Sequence, residues 1–522
     1  MSKLDSRIMT VADIARRQAI RHPHKVALQM DGRTTTYRSL DAASNRVANA
    51  LIADGIRPGD RVAFLGKNSD IYFEIMLGCA KAGAVLTPVN WRLAQPEIVH
   101  VLTDCAAVKL FVNEAFAAAA ERTIAEHRLA ITLHVIASDG GLSDYPAWRD
   151  RAPSSDPMID INEDDVLLQL YTSGTTGRPK GAMLRHRGLV GRYHLQATYG
   201  ADWYRVEHND ICLVAMPIFH IGGSGWGLIA LFNGATGVIV PEFDPRAVVT
   251  LIATYHISKM FIVPSALHII LNDSAGGADF GSLRTIFYGS SPIHPQLVER
   301  AVRHFGCPFV QMYGLTESSG TIVALAPEDH GGERALAAGK PLPGVEIMIC
   351  GGDGTQLPPG ETGEIVTRSI GNMAGYWRND VANREVFLPD GWMRTGDAGY
   401  VDVDGYLFIR DRVKDLIVSG GENVYPAEVE QVIAAHPEIC EVAVIGVPSS
   451  KWGEEVRAIA VLEPGSSLDA PALIRWVRER LAGYKTPKQI DFIAALPRNA
   501  AGKVLRRTLR EPFWGNSERQ IN

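Results

Sequence analysis

The stretch Tyr171-Thr172-Ser173-Gly174-Thr175-Thr176-Gly177-Arg178-Pro179-Lys180-Gly181 gathers three threonines, a serine, three glycines and one lysine into eleven positions. Glycines let backbone N–H groups approach an anion, hydroxyls donate further hydrogen bonds, and a lysine neutralises phosphate charge. The chemistry these residues suit is phosphate handling. The stretch is not the common Gly-x-x-x-x-Gly-Lys-Ser/Thr loop, because Pro179 precedes Lys180. Most such clusters are plain polar loops, so this one alone leaves the function open.

Four later stretches carry related chemistry. In Gln311-Met312-Tyr313-Gly314-Leu315-Thr316-Glu317 an aromatic beside a glycine can stack on a purine, and a single carboxylate can hold Mg²⁺ beside phosphate oxygens. In Trp392-Met393-Arg394-Thr395-Gly396-Asp397 a carboxylate suits the vicinal hydroxyls of a ribose. Asp411 to Pro426 is a charged segment containing Arg412 and Lys414, followed by the pair Gly420-Gly421. Pro497-Arg498-Asn499-Ala500-Ala501-Gly502-Lys503-Val504 places a lysine on a glycine-bearing loop, where it can screen charge as a nucleophile attacks phosphate. Taken singly, each stretch also reads as a strand end, a turn, a linker or a surface lysine.

Together and in this order the five stretches resemble the adenylate-forming, AMP-binding superfamily: acyl- and aryl-CoA synthetases, peptide-synthetase adenylation domains and luciferases. The resemblance covers almost the whole chain. It implies that Thr172, Ser173, Gly174, Thr175, Thr176, Gly177 and Lys180 surround the β- and γ-phosphates of ATP. It assigns Gln311, Met312, Tyr313 and Gly314 to the adenine side, Thr316 to phosphate, and Glu317 with Thr172 to Mg²⁺. Asp397 and Arg412 would meet the ribose, Lys414 would be the hinge, Gly420 and Gly421 would let the pantetheine arm of CoA pass, and Lys503 would be the mobile catalytic lysine. Asn499-Ala500-Ala501 stands where the family more often shows Thr or Ser, a mild departure that leaves Lys503 in place. Phe219-His220-Ile221-Gly222-Gly223 resembles a segment whose histidine orients or gates the acyl substrate. Gly289-Ser290-Ser291 resembles a loop between adenine and the acyl carboxylate.

The implied reaction is a two-step ligation: a carboxylate attacks the α-phosphorus of ATP, giving acyl-AMP and pyrophosphate, and CoA thiolate then displaces AMP. No aspartate stands near Phe219-His220 to pair with an α-ammonium, which disfavours amino acids. Trp226, Leu228, Ile229, Val263 and Ala266 suit an apolar pocket for a hydrophobic carboxylic acid, a fatty acid first and a benzoate- or cinnamate-type aryl acid next. Two other readings stand beside this one: an adenylating enzyme that loads a carrier protein, and a nucleotide-binding relative without turnover.

The elements that must position these groups are legible in the apolar pattern. Helical spacing over Val11 to Arg21, after Ser39, and over Ile71 to Ala82 alternates with short apolar runs such as Arg61–Leu65, Val108 to Val112 and Val166 to Leu170. This alternation predicts an α/β domain with a largely parallel sheet. From about Gly339, Gly- and Pro-rich punctuation of short β-prone runs predicts an antiparallel β subdomain, and after Asp415 a compact α+β tail. The fold class expected is therefore α/β, with a large N-terminal domain (1–411), a small mobile lid domain (412–522) and a hinge about 411–415.

Composition excludes several classes. The chain has 522 residues, too many for one core, and a formal net charge of −6 gives no reason to expect nucleic acid. Six scattered cysteines without a Cys-x-x-Cys pair argue against zinc and disulfides and fit a reducing compartment. The longest run free of ionisable side chains, 221–241, holds six glycines and Asn233 and reads as helix, turn and strand rather than a transmembrane span. A cytoplasmic protein is expected, with a homodimer compatible with the resemblance. Arg185, Arg187 and Arg192 read as a solvated basic face, with attraction to a membrane surface or to CoA phosphates as the alternative.

Overall fold

The computed structural model describes residues 8–137, 143–172, 179–291 without 274–277, 293, 295–498 without 353, 413–414, 420–421 and 450, and 504–514; at Asp273, Arg412 and Asn423 the backbone alone is described. The chain divides into two units, one of residues 1–346 and 367–393, the other of residues 347–366 and 394–522.

The larger unit is built on two sheets. A nine-stranded sheet has a parallel centre, running Phe309–Leu315, Thr285–Gly289, Lys259–Ile262, Ile211–Val214, Thr236–Ile239 and Val26–Met30. Antiparallel strands close it, Gly320–Leu325 and Lys340–Pro341 on one side and Arg33–Thr36 on the other. A seven-stranded sheet runs Gly375–Tyr376, Lys180–Arg185, Val166–Thr172, Val85–Val89, Arg61–Leu65, Ala107–Asn113 and Thr132–Ile136. Its first two pairings are antiparallel and the rest parallel, which agrees with apolar strands buried on both faces.

Helices fill the space between the sheets. The helix Asp70–Ala82 starts where the Ser69 hydroxyl accepts from the Ile71 N–H (3.1 Å) and stops at Gly83, whose φ of 75° only glycine adopts freely. Every residue from Tyr72 to Ala82 is buried, and the helix packs on Val26–Met30 of one sheet and Val85–Val89 of the other. Phe73, Ile75, Met76 and Leu77 each contribute about 1.5–3 kcal/mol by that burial. Lys81 is fully enclosed, and its ammonium is satisfied by Asp41 (2.6 Å), Ser44 (2.9 Å) and Asn45 (2.7 Å).

The helix expected after Ser39 begins earlier, at Tyr37, and its cap is Thr36, whose hydroxyl accepts from the Ser39 N–H (3.2 Å). The chain passes from the strand Arg33–Thr36 straight into the helix, so the last extended residue becomes the cap. The apolar run 221–241 resolves into the helix Ile221–Phe232, a turn at Gly234 and the strand Thr236–Ile239. No helix among the described residues is long and apolar enough to cross a membrane.

The smaller unit holds most of a four-stranded sheet, ordered Val345–Cys350, Gly363–Ser369, Met393–Val401, Leu407–Arg412. It continues into the tail, where Ile439–Ser449 pairs antiparallel with Gly453–Leu462. Alternation along Ile439–Ser449 feeds two cores: Val444 packs with Val429, Ile433, Leu473 and Val477, while Ala443, Ile445 and Val447 join Ile459 and Leu496. Helices Pro426–Ala434 and Ala470–Arg478 supply the first core, and Arg506–Trp514 lends Leu509 and Phe513 to the second.

Candidate active site

The strands Val166–Thr172 and Lys180–Arg185 are antiparallel neighbours, with Thr172 directly opposite Lys180. The glycine-rich loop therefore joins two strands of one sheet and does not open a helix. Ser173, Gly174, Thr175, Thr176 and Gly177 lie outside the described residues; its two flanks are fixed. Beside Thr172, the Tyr171 hydroxyl donates to Asp104 (2.5 Å), and burial, then neighbouring Cys105 and Asp104, push that hydroxyl's pKa up.

Glu317 reaches the same place from the other sheet. The strand Phe309–Leu315 ends in a single turn, Thr316–Ser318, before Gly320–Leu325 returns antiparallel to it. The turn is clamped: the buried Ser318 hydroxyl bonds Leu315 and Gly320, the Ser319 hydroxyl donates to the Gly371 carbonyl (2.7 Å), and the Met373 N–H donates to the Glu317 carbonyl (2.7 Å). The Glu317 Oε1 then accepts from the Thr172 hydroxyl (3.2 Å) and from the Tyr376 hydroxyl (2.9 Å).

Tyr376 is the residue sequence reasoning missed. It sits on the two-residue strand Gly375–Tyr376, which adds to the edge of Lys180–Arg185, and Asn383 bonds its N–H (2.7 Å) and its carbonyl (3.0 Å). The Lys180 ammonium stands 5.3 Å from the centre of the Tyr376 ring, within cation–π range. One side chain thus touches both the loop lysine and the carboxylate. The only signal in the sequence was the aromatic pair after Gly375, which carries no spacing relation to Glu317.

Around the expected adenine segment, Gly289 and Gly314 are required by close approach: a Cβ at Gly289 would lie 2.1 Å from the Met312 carbonyl oxygen, and one at Gly314 would lie 2.1 Å from that of Gly320. Ser290 and Ser291 are exposed, and Ser290 holds φ at 71°, a strained value for a side-chain-bearing residue. The Gln311 amide accepts from Tyr288 (3.0 Å) and donates to the Ala337 carbonyl (3.4 Å), so its contacts are structural. Tyr313 is half-buried opposite Val323, and Met312 accepts at sulfur from Tyr204 and Thr321 (3.4 Å each).

His220 is positioned by a different element, as N-cap of the helix Ile221–Phe232, with its carbonyl taking the N–H groups of Gly223 and Ser224 and its ring 4.6 Å from that of Phe219. Of the expected apolar pocket, Trp226, Leu228 and Ala266 are core residues, the Trp226 indole donating to the Leu213 carbonyl (3.0 Å), while Ile229 and Val263 are partly buried. Arg185 and Arg187 are paired with Asp164 at the surface (3.9 and 2.7 Å). Arg192 departs from the solvated face expected of it and is buried, because the helix His186–Tyr199 turns that position inward.

In the smaller unit, strand register places Asp397 directly opposite Arg412. Asp397 is buried, and its N–H donates to the Thr395 hydroxyl (3.1 Å) across Gly396. Asp411 accepts from the Ala427 N–H (2.8 Å), and Asp415 is held by Arg510 (2.5 Å) and Arg506 (3.5 Å). Lys414, Gly420, Gly421 and Lys503 lie outside the described residues, as does the side chain of Arg412.

The chain matches the AMP-binding enzyme family over residues 15–377 and the AMP-binding enzyme C-terminal domain over residues 428–503. It is 43% identical over 519 residues to the fatty acid–acyl-carrier-protein ligase ScoC of Streptomyces coeruleorubidus, covering 99% of this chain and 98% of that one. It is 39% identical over 500 residues to a feruloyl-CoA synthase of an Amycolatopsis species, covering 95% and 98%. The ATP-bound structure of MatB from Rhodopseudomonas palustris matches at a TM-score of 0.88 and 31% identity, covering 96% and 99%. The flanks of the glycine-rich loop, the clamped Glu317 turn and these whole-length matches agree: the chain belongs to the AMP-binding enzyme family of adenylate-forming enzymes, and is an ATP-dependent, AMP-forming ligase of the acyl-CoA synthetase type.

Proposed function

We propose that the enzyme activates a hydrophobic carboxylic acid, a fatty acid first, as its acyl adenylate and passes the acyl group to CoA. The observation that carries this reading is the meeting of Thr172, Lys180 and Glu317 through Tyr376. Lys180 and the hydroxyls between Thr172 and Thr176 hold the β- and γ-phosphates. Among the described residues the hydrogen bonds to the Glu317 carboxylate fall on Oε1, which leaves the second oxygen for a cation. A single carboxylate suits Mg²⁺, which takes one or two protein oxygens and fills its remaining positions with phosphate and water. Bound there, Mg²⁺ would neutralise charge on the phosphate oxygens.

Asp397 and Arg412, opposite each other on paired strands, take the ribose. Lys503 stabilises the charge that develops as the acid attacks the α-phosphorus, and serves the first step alone. His220 orients the acid. The segment 411–415 acts as the hinge between an adenylation domain (1–411) and a lid domain (412–522), moving about Lys414 so that Gly420 and Gly421 face CoA in the second step.

A carrier protein as acceptor is the second reading, supported by the likeness to ScoC. The test is pyrophosphate release with Mg·ATP over fatty, aryl and amino acids, with CoA or a phosphopantetheinylated carrier protein as acceptor. Acid-dependent release that yields a CoA thioester supports the first reading, and acyl transfer to the carrier alone supports the second. ATP binding without release for any acid would sink both.

A further inference from the structure

Side chains from four separate elements close a circuit at the base of the glycine-rich loop. The Arg61 guanidinium donates to the Gln169 amide oxygen (3.2 Å), and the Gln169 amide nitrogen donates to the Tyr171 hydroxyl (3.2 Å). That hydroxyl donates onward to the Asp104 carboxylate (2.5 Å), while the Asp104 carbonyl accepts from the Trp377 indole N–H (2.9 Å). The guanidinium carbon of Arg61 then lies 3.4 Å from the centre of the Trp377 ring, which returns the contacts to their start. Gln169 uses both ends of its amide, and Tyr171 both accepts and donates. A polar network satisfied in this way holds its members more firmly than separate pairs do.

The circuit encloses Tyr171 and Gly181, which face each other in the strand register one step before Thr172 and Lys180. Gly181 is held from two sides. Its carbonyl accepts from the Trp377 backbone N–H (2.8 Å), and a Cβ there would lie 2.6 Å from the Gln169 amide nitrogen, so the amide rests where a side chain would stand. The helix Gln95–Asp104 supports both strands from outside: Asp104 is its last residue, and a ring nitrogen of its His100 lies 3.4 Å from the Pro179 carbonyl, next to Lys180. One helix end is therefore tied to the strand that enters the loop and, through Trp377, to the strand that leaves it.

We propose that Asp104, Tyr171 and Trp377 are positioning residues for the β- and γ-phosphates of ATP. They fix the spacing of Thr172 and Lys180, and with it the two ends of the loop between them. This rests on the phosphate assignment made above and extends it to residues that act only through those two. The circuit then matters to ligands that carry phosphates beyond the first, and not to AMP or to the thioester-forming step.

The experiment measures binding of Mg·ATP and of AMP by calorimetry, together with the two half-reactions, in wild type, Y171F, D104A, D104N, W377F and K180A. Y171F and D104A should each weaken Mg·ATP binding roughly tenfold, as expected for loss of one hydrogen bond to a charged group, and leave AMP binding within about twofold. Acid-dependent pyrophosphate release should fall mainly through KM for ATP, while conversion of supplied acyl-AMP and CoA to thioester stays at the wild-type rate. D104N, which keeps an acceptor for Tyr171, should restore most of the loss. The double variant Y171F/D104A should be no worse than the weaker single, because both remove the same bond. W377F keeps an aromatic ring beside Arg61 and loses the indole N–H, and should show the same selectivity for Mg·ATP over AMP. Equal weakening of Mg·ATP and AMP, or equal loss in both half-reactions, is the behaviour of a purely structural circuit and overturns the proposal. So does wild-type Mg·ATP binding in Y171F, which loses a single oxygen and keeps the test standing if D104A fails to fold. If K180A loses Mg·ATP binding while Y171F and D104A match wild type, this inference alone falls; if K180A also matches wild type, the phosphate assignment falls with it.

Discussion

The Tyr376 hydroxyl donates to Glu317 at 2.9 Å while its ring lies 5.3 Å from the Lys180 ammonium. A hydrogen bond to a charged group contributes about 1.5–3 kcal/mol. Tyr376→Phe should therefore lower kcat/KM for ATP by roughly tenfold to a hundredfold and raise the Mg²⁺ concentration giving half-maximal rate. Titrating pyrophosphate release with Mg²⁺, together with direct Mn²⁺ binding in the presence of ATP, checks this. An unchanged metal dependence would show that the hydroxyl does not position the carboxylate.

Lys503→Ala should separate the two half-reactions. Losing a preorganised positive group at the attacked phosphate costs about a hundredfold to a thousandfold in rate. Acid-dependent pyrophosphate release should fall by that factor, whereas conversion of supplied acyl-AMP and CoA to thioester should stay within about twofold of wild type. Equal loss in both would remove Lys503 from its assigned step.

His186 is buried, and its Nδ1 accepts from the Val11 N–H (3.1 Å). Burial pushes its pKa from the ordinary value of 6.5 down to about 4. The folded chain thus resists a proton that the unfolded chain takes up, so stability is lost as pH falls from about 6.5 towards about 4 and the loss levels off below that. The full effect is on the order of 3 kcal/mol, and denaturant unfolding across this window measures it. His186→Asn, which keeps an acceptor for Val11 and cannot be charged, should flatten this part of the pH profile.

In the smaller unit, Arg506 binds both oxygens of Glu430 (2.8 Å each) and approaches Asp411 and Asp415. Removing it takes the cation from between Glu430, Asp411 and Asp415, leaving Asp415 with Arg510. Arg506→Ala should destabilise this unit by about 3 kcal/mol, and more so at low salt, as followed by the fluorescence of Trp476 during denaturation. A loss that ignores ionic strength would point to lost packing instead.

The alternation of helical and strand periods gave the α/β class, since period depends on local side-chain order. Thr172, Lys180 and Glu317 were singled out by a resemblance carried by several stretches together, and the hydrogen bond between Thr172 and Glu317 could not be read from either stretch alone. Tyr376 was not singled out, since its role arises from a two-residue edge strand that pairs far along the chain. Arg192 was misplaced for a similar reason: three arginines close in sequence look alike, and only the packing of the helix His186–Tyr199 decides which one turns inward. The cap at Thr36 escaped because the strand before it ends without a turn.

Thr172, Lys180 and Tyr376 lie on three adjacent strands of a single sheet, with the lysine's strand paired on both sides. In mechanical terms the end proposed for the phosphates is a stator. Sheet hydrogen bonds fix the spacing of its groups before any ligand arrives, so little reorganisation accompanies nucleotide binding there. Whatever distinguishes adenylation from acyl transfer must be contributed by groups outside these three strands.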